Sequence, residues 1–388
     1  MVEETPSSAA PLPESPAPLE PLAPAIPTVI ALALFIVVGG AAQLANAAFG
    51  VWFTEVFIFL GLGWVFLRAK GFRPAVYTGL LPLRSAPTLF GFAVGVANFF
   101  ALVVPIQYAA QQLVPPWMRE MFDASHLFDS QSSVEMALIL GGVTIGAPLC
   151  EEFFFRGILQ KGLTPPAPAS ATRALVITAV IFSAFHLDPV GFLARVELGL
   201  LFGWLYLRTG SLWPGMAAHA ANNLVSTVLY LIASRTAAAG QAEAETTDPR
   251  AVLGLALVGA LGLLALKSVA RFSPSVWGRG GDAPLEEARA PGGTPSLPRL
   301  VLPWVVASTV SLVGLGAVDK RGVALSLFDV VYPLPKLQKD AAPGLVAERA
   351  ALKQARAAAR RGSIPMEAYE EERRRQSEAY KPKAELKH

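Results

Sequence analysis

The chain has 388 residues, 53% of them hydrophobic and only 16% charged, with a mean hydropathy of +0.47 and a formal net charge of +3. Soluble domains carry about 25% charged residues, so this composition excludes an ordinary soluble enzyme, and no helical basic face is paired with aromatics as a nucleic-acid surface requires. The single cysteine, Cys150, excludes an internal disulfide and a cysteine-cluster metal site.

Residues 1–27 contain Glu3, Glu4, Glu14 and Glu20, no basic residue and many prolines. They are expected to form a disordered leader and not a secretory signal, which needs a positive start before its apolar run. A helix that crosses a bilayer needs about 20 largely apolar residues. Segments 28–47, 50–67, 88–110, 134–157, 173–187, 190–207, 212–233, 251–268 and 300–317 meet that demand, the fifth of them barely. The expected fold is therefore all-α, a polytopic bundle of eight or nine spans. The bundle proper covers residues 28–235, additional spans lie within 251–317, and a charged tail follows over 318–388. Polar linkers at 235–250 and 269–299 should be irregular, the second being rich in Gly and Pro.

Arg68, Lys70, Arg73, Arg84, Lys161, Arg173, Arg208, Lys267, Arg271 and Arg279 fall at one end of the bundle if every span crosses. The positive-inside rule makes that end cytoplasmic. The basic tail then breaks the rule if there are nine spans and obeys it if there are eight. The tail itself, from about Gly344 to Ala379, reads as a solvated helix interrupted by Pro365, with i,i+4 pairs such as Glu370 with Arg374 and Glu371 with Arg375.

Three polar elements interrupt the apolar runs. The first is Cys150–Gly157, CEEFFFRG. On a helix Glu152 and Arg156 stack one turn apart and reduce each other's desolvation cost. Glu151 points about 100° away from Glu152, with no built-in cation, the setting for a carboxyl group that works as base or acid near neutral pH. The second element is Phe182–His186, FSAFH, and the third is His219–Asn223, HAANN. His219 and Asn223 share a helix face, and Asn222 is rotated away. Such a pair could stabilise an oxyanion or join helices by hydrogen bonds. Gly215, Ala217, Ala218, Ala220 and Ala221 permit close helix approach there. Ionisable groups at membrane depth are costly and mark function. His126 and His388 lie outside this pattern. A proton-relaying transporter would want a hydropathy repeat, which is absent, and Ser183 and Cys150 have no triad order for a nucleophile.

Together, Glu151-Glu152-Phe153-Phe154-Phe155-Arg156, Phe182–His186 and His219–Asn223 resemble the E-E-x-x-x-R, F-x-x-x-H and H-x-x-x-N elements of the CAAX protease and bacteriocin-processing family, also called the Abi family of intramembrane metalloproteases. The resemblance covers about residues 88–235. It implies an endopeptidase in which Glu151 activates water with His186 beside it, His219 and Asn223 hold the oxyanion, and Glu152 with Arg156 orients them. It leaves two options for a cofactor: zinc held by Glu151, His186 and His219, or no metal. It implies a protein or peptide substrate, prenylated or unmodified, reached from lipid or from the cytoplasmic side. A non-catalytic membrane scaffold or immunity protein of the same fold is the alternative. The Ala, Pro and Arg usage points to a bacterial inner membrane.

Overall fold

The computed structural model describes residues 23–80, 82–115, 132–164, 168–238, 248–277, 285–291, 294–334 and 343–379, together with Leu19, Met118, Arg119 and Phe122. The expected disordered leader falls almost wholly outside the described residues, as do His126, the proline run 165–167 and His388. What is described is helical. Nine long helices follow one another: α1 (Ala25–Ala45), α2 (Ala47–Ala69), α3 (Ser85–Leu113), α4 (Ser133–Leu163), α5 (Pro168–Phe185), α6 (Phe192–Thr209), α7 (Leu212–Ala238), α8 (Pro249–Phe272) and α9 (Leu297–Val318). Three more, α10 (Lys320–Val331), α11 (Pro343–Arg361) and α12 (Met366–Ala379), follow in the tail, and short turns of helix lie at Pro74–Thr78 and Leu285–Ala288.

Seven of these, α1–α4 and α7–α9, are long and apolar enough to cross a bilayer. The other two expected spans are the ambiguous ones. The apolar part of α5 is only Ala171–Phe185, and α6 carries Arg195, Glu197 and Arg208. The all-α polytopic bundle read from the sequence is the fold observed.

Contacts between helix ends sort the bundle into two faces. Asn46, in the turn between α1 and α2, caps α2 by accepting from the Phe49 amide and donates to Asp319 at the end of α9. Arg360 of α11 pairs with Glu135 at the start of α4. At the other face the Leu212 amide donates to the Gly79 carbonyl. There the linker after α8 is held against the turn after α2: Phe72 and Arg289 form an isolated antiparallel bridge, and the Arg289 guanidinium lies 4.4 Å from the centre of the Phe72 ring. That part of the linker is more regular than its glycines and prolines suggest. This alternation is the one that nine crossings produce, and it places α10–α12 at the Asn46 face.

Close approach fixes the centre. Gly91 and Gly95 of α3 lie against α7, where a Cβ would come within 2.3 Å of the Pro214 carbonyl oxygen and 2.4 Å of that of Ala218. Only glycine permits the backbones to approach so nearly, and in lipid such van der Waals contact, not the hydrophobic effect, drives helix association. Ala218 and Ala221 are fully buried there. The small residues expected to allow close packing thus meet small residues on α3, and His219 is set by that contact. A cluster of rings, Phe59, Phe154, Phe155, Phe182, Phe185 and Phe202, fills the space among α2, α4, α5 and α6.

The tail is more than a solvated helix. Leu325, Leu352, Ala359 and Tyr369 form a separate apolar cluster among α10, α11 and α12. Gly362, at φ 78°, ends α11, and α12 begins right after Pro365. Arg375 pairs with Glu372 at i,i+3 and not with Glu371 as the i,i+4 pattern suggests.

Candidate active site

The polar centre lies where α4, α5 and α7 meet, with α2 and α6 closing it. Its geometry starts with the helix irregularities that aim the side chains. In α4, Gly142–Gly146 winds as a π-helix, and the Ala147 amide donates to the Gly142 carbonyl, five residues back. The next bond in that series would come from residue 148, which is proline and has no N–H. The Val143 carbonyl is therefore left over, and Asn223 Nδ2 of α7 donates to it at 2.8 Å. A missing proton on Pro148 thus ties α4 to α7 through one of the motif residues. A second π-helical segment, Phe155–Gln160, begins just before Arg156. Such segments concentrate at functional sites.

Glu152, Arg156 and His219 form one connected group. Glu152 Oε1 accepts from Arg156 Nη1 at 2.9 Å and lies 3.0 Å from His219 Nδ1. Arg156 Nη2 donates to the Gly199 carbonyl of α6 at 3.1 Å, and its guanidinium lies 4.4 Å from the Phe182 ring centre. Glu152 and Arg156 are wholly buried. The ionised Glu152 beside Arg156 can only accept, so His219 Nδ1 carries the hydrogen of that contact and Nε2 is left for other partners. The imidazole stacks on Phe202, with centroids 4.8 Å apart and planes 16° from parallel. These contacts fix its position and its tautomer.

Glu151 has no such anchor. Its Oε2 sits 3.9 Å from His219 Nε2 and has no hydrogen-bond partner. His186 Nδ1 lies 3.0 Å from the Phe182 carbonyl of its own helix. A carbonyl only accepts, so Nδ1 bears the hydrogen there too, and Nε2 is the free nitrogen. The helix ends at that point: Leu187 adopts φ 52°, and Ser183 Oγ donates to the Phe192 carbonyl across the turn.

Glu151, His186, His219 and Asn223 all line one cavity of about 520 Å³. Glu152 and Arg156 stand behind it. The six residues singled out from the sequence are thus divided into four at the cavity and two supporting. Asn222, expected to face away, also lines the cavity and donates to Asn223 Oδ1 at 3.1 Å. Two further residues of charged type on the wall, Arg195 and Glu55, escaped the sequence reading. Arg195 of α6 pairs with Asp188 at 2.6 Å. Glu55 of α2 is 5% exposed. A lone carboxylate in the apolar run 50–67 is itself a signal, but no motif drew notice to it.

The zinc option needs three converging ligands. Glu151 and His219 Nε2 converge, but among the described residues no group of three or more His, Cys, Asp or Glu is placed to hold a metal. His186 does not complete the set, so the donors do not fit a structural or catalytic zinc site.

Fold and site together define an integral membrane protein whose buried carboxylate–imidazole group opens on an internal cavity. Residues 133–225 match the family model described as "Type II CAAX prenyl endopeptidase Rce1-like". A Bacillus subtilis (strain 168) protein described as "Putative membrane peptidase YdiL" is 27% identical over 113 residues, 29% of this chain and 45% of that protein. The chain thus spans under half the length of the curated relative it matches. No solved structure matches it. The segment that carries the three motifs therefore matches the CAAX prenyl endopeptidase model, and the Bacillus relative is a membrane peptidase by its description alone.

Proposed function

We propose that this protein is an intramembrane endopeptidase that uses Glu151 to activate water, embedded in a bacterial inner membrane. The observation that carries the reading is the open pairing of Glu151 Oε2 with His219 Nε2, 3.9 Å apart on the cavity wall. A water about 2.8 Å from each atom fits that separation. Glu151 takes a proton from this water as its oxygen attacks the scissile carbonyl carbon. Glu152, fixed by Arg156, takes the Nδ1 hydrogen of His219, and when Nε2 also carries a hydrogen it donates to the developing oxyanion. The second hydrogen of Asn223 Nδ2, the first being used on Val143, adds another donor. His186 lines the same cavity from α5. Burial strengthens those of Glu151, Glu152 and His219.

This mechanism routes no step through a metal, because the described donors supply two ligands and not three. The metalloprotease designation that the resemblance brings would need a ligand from outside the described residues. For the substrate, the cavity wall includes Phe35, Phe59, Phe155, Phe182, Phe185 and Phe202. That wall suits an apolar group beside the scissile bond, such as the isoprenoid of a prenylated cysteine. Lipid is the second partner.

The test uses two internally quenched peptides in detergent, one with farnesylcysteine and one with free cysteine at the same position, with and without a chelator. Cleavage by the wild type, unaffected by the chelator and reduced about 10³-fold in Glu151→Gln, is the expected result. Equal cleavage by Glu151→Gln would sink the base assignment. A folded protein that cuts neither peptide favours the scaffold reading, and preference for the farnesylated peptide supports the apolar subsite.

A further inference from the structure

The carboxyl group of Glu55 lies on the cavity wall, is left idle by the proposed mechanism, and forms no ion pair among the described residues. It stands outside the stretch that matches the family model, in the π-helical segment Thr54–Gly61 of α2, which packs directly on the part of α4 that carries Glu151. Its Oε2 is buried and has no hydrogen-bond partner. Arg156 is engaged by Glu152 and Arg195 by Asp188, so neither neutralises it. Glu55 and Glu151 line the same cavity from two helix segments that pack on each other. Two buried carboxylates in that relation do not both ionise. Glu151 has the imidazole of His219 at 3.9 Å, and Glu55 has no cation. For the pair to serve as base and acid, the negative charge sits on Glu151 and the proton on Glu55. Environments that separate two carboxyl groups in this way assign the acid and the base of a reaction.

We propose that Glu55 is the general acid that protonates the leaving amine. The inference rests on the hydrolytic reading of Glu151. The atoms balance as follows. Glu151 removes one proton from water as the C–O bond forms. On collapse of the tetrahedral intermediate the C–N bond breaks, its electron pair goes to nitrogen, and that nitrogen takes the proton of Glu55. A carboxylic acid and a neutral amine leave. Glu151 now holds the proton that Glu55 has lost, and its transfer across the cavity resets the pair. No co-reactant is needed beyond water and the peptide.

The experiment compares two leaving groups on one acyl residue: whichever of the two peptides the wild type cuts, and the nitrophenyl ester of the same cysteine derivative. Nitrophenolate departs without a proton and an amine does not. Glu55→Gln, close in shape to the native side chain, is expected to lose about 10²- to 10³-fold in peptide cleavage and to cleave the ester within a few-fold of the wild type. Glu151→Gln is expected to lose both. Equal loss of both activities in Glu55→Gln, or loss of neither, overturns the proposal. If Glu55→Gln does not fold, Glu55→Asp decides the question: its displaced acid must lower the ratio of peptide to ester cleavage, and an unchanged ratio overturns it. Ester and peptide cleavage that both survive in Glu151→Gln would mark failure of the hydrolytic reading itself, a result separate from any outcome at Glu55.

Discussion

The molecule builds two clusters from the same parts, arginines, carboxylates and an aromatic ring, and places them at different depths. In the centre of the bundle Arg156 and Glu152 have side-chain exposures of 0% and 1%. At the Asn46 face, where α10, α11 and α12 dock, Arg356 and Asp329 are exposed by 20% and 19%, and Arg360 and Asp319 by 21% and 17%. The outer cluster is mutually saturated: Asp329 receives Arg356, Arg373 and Tyr369, and Arg360 bridges Asp319 and Glu135. The inner one is left open by design of its geometry, for Glu151 Oε2 and Glu152 Oε2 lack hydrogen-bond partners. Water can replace any lost partner at the outer face and cannot do so at Glu152 and Arg156, behind the cavity. Saturation at the outer face serves docking, whereas the unsatisfied Glu151 Oε2 on the cavity wall is available to a substrate or a water.

The largest expected effect follows from that contrast in depth. Arg156→Met strips the guanidinium from Glu152 and should destabilise the protein by about 3–5 kcal/mol, the cost of an uncompensated buried charge. Arg356→Met removes an ion pair of similar geometry at the wetter face and should cost no more than about 1 kcal/mol. Thermal unfolding of both variants in the same detergent checks the pair. Equal shifts would mean that depth does not govern these clusters.

Asn223→Ala is the next test, and a kinetic one. It deletes the bond that fills the carbonyl freed by Pro148, and with it an oxyanion donor. We expect kcat to fall about 10²-fold with KM nearly unchanged. Asn222→Ala, which lines the same cavity without bonding α4, should lose far less. If both variants lose activity equally, the link to Val143 is not what matters at this position.

These residues also show what was legible in the sequence. Glu152 with Arg156, and His219 with Asn223, were readable because i,i+4 spacing on a helix fixes which side chains share a face. That His219 reaches Glu152 from another helix was not, since the approach of α7 depends on Gly91 and Gly95 in α3, far away in the chain. The bond from Asn223 to Val143 arises from a π-helical stretch ahead of Pro148, and local propensity does not foretell that register. Glu55 was open to notice as an isolated carboxylate in an apolar run, but it belongs to no motif. For the tail, propensity gave the helices and the break at Pro365. It could not give the packing of Tyr369 against Leu325 and Leu352, because long-range partners are not encoded by helix-forming tendency.

The smallest effect is expected at the outer cluster, and it has a pH signature. The Tyr369 hydroxyl donates to Asp329 Oδ1 and accepts from Arg373 Nη1. Tyr369→Phe removes these bonds yet leaves Asp329 with two arginines, so the loss should be about 0.5–1.5 kcal/mol near neutral pH. Burial, and then the bond to Asp329, hold the phenol well above its ordinary value of 10.0. The unfolded chain therefore releases this proton first as pH rises. Between the ordinary and the raised value the folded state binds more protons, and its stability must fall with pH. The contribution of Tyr369 is complete below the ordinary phenol value and is lost above it. Tyr77, also pushed up by burial, is present in both proteins and cancels in the comparison. The gap in melting temperature between wild type and Tyr369→Phe should accordingly narrow from about pH 8 to about pH 11, through the ordinary phenol range. A gap that stays constant over that interval would show that the hydroxyl is not held protonated by the docked helices, and that α12 is less firmly seated than the bond to Asp329 implies.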